Sequence, residues 1–315
     1  MQSITKPMLA KDIDEAKLKF PLMISPKIDG VFAFVQNGQL YARSLKQHEN
    51  LFTNSYYSDD IFNGLRGELI VGTNPTAADL CRNTGSAVRR IQGEPETSLW
   101  CFDYVLSSTE ELSYASRIKL LISKVQELNL QGFTFIKMIP VSTVQTMQEY
   151  LSTRDEYLQM GYEGCIVRDP SLPHKEGRSS STKAHLWRYK PYTTAEIRVT
   201  SFVEEMHNLN EAKTNELGRT ERSTNQENLV GKGNLGAIVG TLITPLLDCY
   251  GKEVAEIGTE LTIATGSLTD KERKYYWNNP AEMINHVVEF EYMSFGLKDK
   301  PRFAQFKSIR SEINM

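Results

Sequence analysis

Short apolar runs separated by turn residues fill the first half of the chain and predict strands mixed with helices. Two runs, 31–36 and 40–44, flank Asn37-Gly38, a pair suited to the tight type I′ turn of a hairpin. Further strands are expected at 65–72, 99–106, 133–139, 165–168 and 186–189. A capping box at Ser108 and Glu111 predicts a helix that runs to about residue 128, and a second helix is expected over 143–160, ending at Gly161. This half therefore predicts an α+β domain.

The pattern changes after Pro191, where short strands recur without long helices. They are expected at 197–203, 236–243, 261–264, 287–292 and 303–309, with one brief helix over 271–277. Five short strands suit a small barrel of the oligonucleotide-binding (OB) type. A polar stretch at 204–234 lies between the first two strands, and a connection of that length is usually functional or disordered. The predicted domains are 1–192 and 193–315, the second with an insertion at about 204–234.

Composition agrees with two folded domains and removes several classes of protein. The chain has 315 residues, of which 40% are hydrophobic and 24% charged, and its 13 Phe and 14 Tyr disfavour disorder. No apolar run approaches the roughly 20 residues of a membrane span, and no signal peptide is recognisable at the start. We therefore expect a cytoplasmic protein that does not bind membranes.

Neither zinc nor bulk positive charge is suggested by the sequence. The four cysteines, at 81, 101, 165 and 249, form no CxxC pair, and the five histidines do not cluster, so we expect free thiols and no zinc. The net charge of −3 argues against a protein that coats nucleic acid by overall charge. A localised basic groove remains compatible with it.

The first segment that suggests a catalytic residue is Lys27-Ile28-Asp29-Gly30, just before the first hairpin strand. A lysine amine is a nucleophile only after it loses its proton, and its ordinary pKa of about 10.4 means that burial, cations or a metal must help. The alternative is a surface lysine before an Asp-Gly turn. Taken alone, this tetrapeptide does not decide between the two.

Further motifs follow in order along the chain. They are Arg43-Ser44, Gly67-Glu68-Leu69, the segments 100–105 and 163–168, Arg188-Tyr189-Lys190-Pro191, and the segment 301–310. With Lys27-Ile28-Asp29-Gly30 they resemble motifs I, Ia, III, IIIa, IV, V and VI of the nucleotidyltransferase superfamily, which contains ATP-dependent DNA ligases, RNA ligases and capping enzymes. The two-domain layout is similar to that of compact viral and phage DNA ligases. The resemblance implies an adenylyltransferase domain followed by an OB barrel with a β-hairpin latch.

The resemblance also implies a reaction, with ATP as the adenylate donor and Mg²⁺ (or Mn²⁺) as the metal. Lys27 would attack the α-phosphorus of ATP and become a lysyl-AMP, which then passes AMP to the 5′-phosphate of a nick before the 3′-hydroxyl seals it. The implied catalytic residues are Lys27, Lys190, Arg188 and Asp29, and the implied metal ligands are Glu163 and Glu68.

The same resemblance assigns residues to the nucleotide and to the DNA. Nucleotide contacts are implied for Lys27, Glu68, Phe102, Glu163, Lys190, Arg302 and Arg310, with Phe102 stacking on adenine and the last two orienting pyrophosphate. DNA contacts are implied for Arg43, Arg178, Lys213, Arg219, Arg222 and Lys232. The expected partner is nicked double-stranded DNA, encircled by one monomeric chain.

Two positions depart from the family pattern. Cellular ligases have an arginine at the position of Phe32, so one cation near the nick is missing in this chain. Motif V usually begins with a lysine, whereas this chain has Arg188 at that position. Alternatives remain: an RNA ligase, a GTP-using capping enzyme, or a non-catalytic nucleic-acid-binding relative. An NAD-dependent ligase is disfavoured by the lack of a zinc-ligand cluster.

Overall fold

The computed structural model describes residues 4–77 and 79–310. The chain forms two compact units that divide between Lys190 and Pro191. Within the described residues, no helix combines the length and the apolar character needed to cross a membrane.

The first unit is built from short strands and four α-helices. The strands are β1 (Met8–Leu9), β2 (Lys11–Asp12), β3 (Leu22–Lys27), β4 (Val31–Gln36), β5 (Gln39–Ala42), β6 (Leu65–Val71), β7 (Thr97–Tyr104), β8 (Ile136–Met138), β9 (Ser142–Val144), β10 (Gly164–Arg168), β11 (Gly177–Arg178) and β12 (Trp187–Tyr189). The helices are α1 (Leu51–Tyr57), α2 (Leu80–Arg89), α3 (Tyr114–Leu130) and α4 (Met147–Gln159), with short 3-10 helices at Glu15–Lys17 and Asp60–Phe62.

Two five-stranded sheets organise this unit. One has the order β5-β4-β6-β7-β8 and the other β2-β12-β10-β3-β9, while β1 pairs with β11. The chain passes from the second sheet to the first between β3 and β4, so the segment 28–30 joins the two sheets. Lys27, the last residue of β3, therefore lies where the sheets meet.

Each sheet buries its own apolar core. The first packs against α3 through side chains that include Leu121 and Leu128, and the second packs against α4 through Tyr150 and Tyr157. A smaller cluster between them contains Ile28, Ile70, Leu80 and Ile139, with Trp100 and Phe102 packed against it. The segment that carries Lys27 is therefore held by buried neighbours.

A buried ion cluster ties α3 to the sheets. The carboxylate of Asp103 accepts hydrogen bonds of 2.8 and 3.2 Å from the guanidinium of Arg117, and Arg168 approaches it to 2.8 Å. Burial alone would raise the pKa of Asp103, but the two arginines outweigh it and hold that pKa well below its usual range. Because all three side chains are buried, losing one charge would leave the others uncompensated.

Several local predictions in this unit are confirmed and three need correction, the first being the strand expected over 133–139, which covers only Ile136–Met138. Asn37 and Gly38 both have positive φ, at 53° and 66°, as a type I′ hairpin turn requires. The helix expected from Ser108 instead begins after Ser113, whose hydroxyl accepts from the Ser116 amide. The second helix begins after Thr146, because Val144 pairs with Leu22 in the sheet and cannot also be helical.

The second unit is a closed barrel, which confirms the predicted OB-type architecture. Its strands are β13 (Thr193–Asn208), β14 (Ala212–Thr214), β15 (Thr220–Arg222), β16 (Leu229–Leu242), β17 (Leu246–Leu247), β18 (Glu253–Ala255), β19 (Glu260–Ala264), β20 (Val287–Met293) and β21 (Arg302–Ile309). The barrel order is β13-β16-β19-β21-β20. Helix α5 (Asp270–Asn278) begins with a capping box, and short 3-10 helices occupy Gln226–Asn228 and Pro280–Glu282.

The polar stretch 204–234, called the ribbon below, is ordered β-structure in this fold. Strands β13 and β16 continue past the barrel with Asn208 opposite Leu229, and β14 and β15 form a further hairpin beyond them. Asn210 is buried and donates to the carbonyls of Ser223 and Asn225, at 3.0 and 2.7 Å. Side-chain amides thus supply the bonds that hold a segment with few apolar residues.

Candidate active site

Three residues far apart in sequence meet at the end of the second sheet. Lys27 ends β3, Glu163 precedes β10 and Lys190 follows β12, and these strands are neighbours in the order β12-β10-β3. The register places Gly164 opposite Lys27, and the Glu163 amide donates to the Lys27 carbonyl at 3.1 Å. Strand pairing therefore brings the three side chains together.

A close packing of backbones makes this meeting possible. Gly164, next to Glu163, has a Cα so near the Tyr189 carbonyl that an added Cβ would lie 2.1 Å from its oxygen. A side chain at position 164 would push β12 away from β10, and Lys190 with it. The glycine of this motif is therefore needed for the position of Lys190.

Glu163 is shared between the two lysines. Its side chain is fully buried, one carboxylate oxygen accepts from Lys27 Nζ and the other from Lys190 Nζ. Burial would raise the pKa of Glu163, but the two ammonium groups outweigh it and lower that pKa. We define these three residues as the lysine cluster.

The two lysines have opposite pKa shifts. Burial favours the neutral amine of Lys27, but the carboxylates of Glu163 and Glu68 outweigh burial and raise its pKa. For Lys190, burial together with the charge of Lys27 prevails over Glu163 and lowers its pKa. Lys27 is thus held as an ammonium ion beside Glu163, so the expected activation of this amine requires a change at Glu163.

Glu68 lies on β6, on the side of the site formed by the first sheet. Burial raises its pKa to about 7, against the positive charges of Lys27 and Arg43. Its neighbour Gly67 allows β6 to approach β7, since a Cβ there would lie 2.5 Å from the Trp100 carbonyl oxygen. Glu68 therefore changes its charge close to neutral pH.

Phe102 occupies an irregular position on β7. Arg66 pairs with Asp103 and Gly67 with Cys101, so Phe102 is the extra residue of a β-bulge, a feature that redirects a side chain. Its ring packs against the small cluster between the sheets and lies 6.1 Å from the ring of Phe32. Trp100 packs in the same place, and the sequence prediction missed it although it alternates with Phe102.

Four other predicted residues of the first unit lie outside the lysine cluster as defined above. Asp29 is buried and its charge acts on Lys27. Arg188 forms an ion pair with Asp12 at 2.6 Å, and Arg178 Nη1 donates to a backbone carbonyl at 3.2 Å. Arg43 is exposed, with its guanidinium carbon 5.5 Å from the ring centre of Phe32.

Two predicted nucleotide contacts belong to the barrel. Arg302 Nη1 donates to the Phe295 carbonyl at 3.1 Å. Arg310 forms ion pairs with Glu196 at 2.8 Å and with Glu289 at 3.2 Å. Both side chains are thus engaged with the barrel in this structure.

The predicted DNA contacts of the second unit all lie on the ribbon and are exposed. Lys213 faces Glu221 across the β14–β15 hairpin, and Arg222 donates to the Asn210 carbonyl. Lys232 pairs with Glu205 at 2.6 Å. The remaining predicted contact, Arg219, lies just before β15. Acidic neighbours therefore partly offset these cations.

Glu163 of the lysine cluster and Glu68 of β6 are carboxylates of the kind that could hold a magnesium ion together with a nucleotide. Across the part of the chain that is described, no group of three or more His, Cys, Asp or Glu side chains could hold a metal. Mg²⁺ commonly uses one or two carboxylates and completes its shell with water and substrate phosphates. Glu163 and Glu68 supply that number, and Glu163 would have to exchange a lysine for the ion.

A lysine at the junction of two sheets, followed by a closed five-stranded barrel, has the architecture of the nucleotidyltransferase and OB domains of DNA ligases. Solved structures confirm this fold. The chain matches a Chlorella virus DNA ligase-adenylate with 24% identity and a TM-score of 0.51, covering 98% of this chain and 100% of the other. It matches a Lig E DNA ligase with 18% identity and a TM-score of 0.67, over 98% and 100% of the two chains.

Sequence comparison also finds similarity to DNA ligases, over shorter segments. A DNA ligase of African swine fever virus is 27% identical over 109 residues, which are 35% of this chain and 26% of the viral protein. A second isolate is 24% identical over 171 residues, or 52% and 39% of the two chains. The match thus spans about a quarter of the length of the first relative, and no family model matches the chain. The resemblance to DNA ligases, first drawn from motifs, is confirmed.

Proposed function

We propose that this chain is an ATP-dependent DNA ligase that seals nicks with a 3′-hydroxyl and a 5′-phosphate in duplex DNA. The observation that carries the proposal is the lysine cluster: an amine held at a sheet junction beside a buried carboxylate and a second amine. In this proposal the first unit is the adenylation domain, and the second is the OB domain with the ribbon as its latch.

In the first step Lys27 Nζ attacks the α-phosphorus of ATP, a P–N bond forms, and the bond to pyrophosphate breaks. Nζ must first lose a proton, and the hydrogen bond to Glu163 keeps it protonated in the free protein. When Glu163 is engaged elsewhere, burial favours the neutral amine. Bound Mg²⁺ would supply positive charge beside the reacting phosphates. Lys190 lies where it can add a further positive charge.

The next two steps return the site to its starting state. A 5′-phosphate oxygen attacks the lysyl-AMP, which frees Lys27 and leaves AMP on the DNA end. The 3′-hydroxyl then loses its proton and attacks the phosphorus of the DNA 5′-phosphate, so that a phosphodiester bond forms while the bond from that phosphorus to AMP breaks and AMP leaves. Arg43 and Arg178 would bind the 5′-phosphate, since guanidinium groups match phosphate geometry. Asp29 and Arg188 would position the adenylate.

Nucleotide recognition is assigned to residues of the first sheet and of the barrel. Phe102 would stack on adenine and Glu68 would accept from the ribose hydroxyls, while Arg302 and Arg310 would orient pyrophosphate. The last two would have to exchange barrel partners for phosphate. Mn²⁺ would be able to replace Mg²⁺, because both bind oxygen ligands.

Self-adenylation tests the chemistry. The protein is incubated with α-labelled ATP or GTP and Mg²⁺, then separated on a denaturing gel. We expect label from ATP in the wild type, none in Lys27→Ala, and much less in Lys190→Ala. Lys119→Ala, which removes an exposed lysine from α3, should label normally. Label from GTP alone would identify a capping-type enzyme, and no label would identify a non-catalytic binding protein.

Substrate choice and the ribbon are tested by sealing. We expect a labelled nicked DNA duplex to be joined far faster than a nicked RNA duplex; the reverse would indicate an RNA ligase. Residues 209–228 can be replaced by an Asn-Gly turn, because Asn208 and Leu229 are cross-strand partners. This variant should self-adenylate normally but seal poorly. Unchanged sealing would refute the latch assignment. A separate light-scattering measurement should show one protein chain bound to each nicked DNA duplex.

A further inference from the structure

Phe32 stands where the family pattern has an arginine, and the structure shows what the ring contacts. Phe32 lies on β4, which pairs with β6 on one edge and with β5 on the other. Its partner on β6 is Glu68. On the β5 edge the next residue, Ala33, pairs with Ala42. This register brings Arg43, the residue after β5, beside Phe32. The ring is 9% exposed and packs near the rings of Phe34 and Phe102, at 5.9 and 6.1 Å. Phe32 is therefore a fixed aromatic surface.

Arg43 lies over this surface with its backbone fixed. A tight turn follows β5, in which the Ala42 amide donates to the Lys46 carbonyl at 2.8 Å and the Leu45 amide donates to the Ala42 carbonyl at 3.0 Å. The Arg43 guanidinium carbon lies 5.5 Å from the Phe32 ring centre, within the range of a cation–π contact. Its positive charge also acts on the Glu68 carboxylate. The guanidinium thus lies over the Phe32 ring while the residue is exposed to solvent.

We propose that Phe32 is a positioning residue that holds the Arg43 guanidinium ready for the 5′-phosphate of a nick. The inference rests on the proposed ligase function. A free arginine side chain loses rotamer freedom when it grips a phosphate, and a side chain that is already oriented loses less. An exposed cation–π contact changes the ratio of oriented to free arginine side chains by roughly two- to fivefold. The missing arginine at position 32 is therefore compensated by a better-ordered arginine at position 43.

The test compares pre-adenylated protein variants on two nicked duplexes, one with a 5′-phosphate and one with a 5′-hydroxyl. Phe32→Leu keeps an apolar side chain but removes the ring face. It should raise the Kd for the 5′-phosphate nick by roughly two- to fivefold and leave the Kd for the 5′-hydroxyl nick unchanged. Phe32→Tyr, which restores a ring, should restore the affinity.

A double-mutant cycle shows whether the effect passes through Arg43. In an Arg43→Ala background, Phe32→Leu should have no further effect on the Kd, because the cation it orients is absent. Phe133→Leu serves as the matched control, since its ring packs against Phe62 and Phe135 in the core of the first sheet. It should leave both Kd values unchanged.

Three results would overturn the inference. The first is an equal effect of Phe32→Leu with and without Arg43. The second is an equal loss of affinity for both nicked duplexes. The third is slower self-adenylation with an unchanged Kd for DNA, which would mean that Phe32 supports Phe102 and the nucleotide. Failure of the wild type to seal nicks would instead refute the proposed function, so the two failures are distinguishable.

Discussion

Glu163→Gln is the substitution whose outcome depends most directly on the lysine cluster. The amide has nearly the shape of the carboxylate but no charge. It can still accept one hydrogen bond, while its NH₂ group points at an ammonium group that is also a donor. The variant therefore leaves Lys27 and Lys190 facing each other without the buried anion between them.

The magnitude follows from burial. Removing one partner of a buried ion pair costs about 3–5 kcal/mol, because a charge is left uncompensated. The side chains of Lys27 and Lys190 keep 19% and 12% exposure and can partly rehydrate, so the lower end, about 3 kcal/mol, applies. For a unit of this size each kcal/mol shifts Tm by roughly 2–4 °C. We expect Glu163→Gln to lower the Tm of the first unit by about 6–12 °C at neutral pH.

The pH dependence has a defined sign. The pKa of Glu163 is lowered in the folded state from an ordinary value of 4.5, so its stabilisation is complete above that value and is lost as pH falls through the folded pKa. The Tm difference between wild type and Glu163→Gln should therefore shrink in acid. Thermal unfolding of both proteins at about pH 7.5 and about pH 4 measures it.

A matched control is available on α4, where Glu156 is exposed. Glu156→Gln removes the same charge and should change Tm by no more than about 2 °C at either pH. The reasoning is wrong if Glu163→Gln is as stable as wild type at neutral pH. It is also wrong if the Tm difference grows in acid.

Three further outcomes follow from the described contacts. Glu68 has a pKa of about 7 in the fold against an ordinary 4.5, so the wild type loses stability as pH rises from 4.5 through 7. Glu68→Gln should be about 3 kcal/mol more stable than wild type at pH 8, with the gap largely closed by pH 5 in urea unfolding; a constant gap would contradict this. Asp103→Asn removes the anion bound by Arg117 and should cost about 3–5 kcal/mol in urea, while Asp103→Glu should recover part of it. Arg273→Leu breaks the 2.6 Å ion pair with Glu205 that joins α5 to the base of the ribbon. In the variant, amide exchange in the ribbon should be roughly fivefold faster than in wild type, while exchange in β20 is unchanged. Equal ribbon exchange rates in wild type and variant would contradict the role of this contact.

Short apolar runs and turn chemistry carried the strand predictions. The hairpin around Asn37 and Gly38 and the five barrel strands are local patterns, because an apolar run bounded by turn residues can be recognised within a short stretch of sequence. Helix starts were less predictable. Several Ser and Thr residues precede α3, and each offers the same capping chemistry, so only packing selects Ser113.

The candidate site is non-local, which limits what residue patterns can show. Lys27 and Glu163 are separated by 136 positions, and their contact depends on the pairing of β3 with β10. Motif resemblance selected both residues but could not show that Glu163 bonds both lysines. Phe32 illustrates the same limit: the sequence shows a missing cation, whereas the fold shows a ring beneath Arg43.

The described cations are of two kinds, and this bears on how a chain with a net charge of −3 would bind DNA in the proposed function. The amines of the lysine cluster share a buried carboxylate, so changing their partner is costly. Arg188 and Lys232 instead pair with acidic residues at the surface, where such a pair contributes only about 0–1 kcal/mol. Exchanging Asp12 or Glu205 for a phosphate of the proposed substrates would therefore cost little. In the proposed ligase the surface cations would therefore exchange partners readily, whereas release of Lys27 from Glu163 would need the binding of nucleotide and metal to offset its cost.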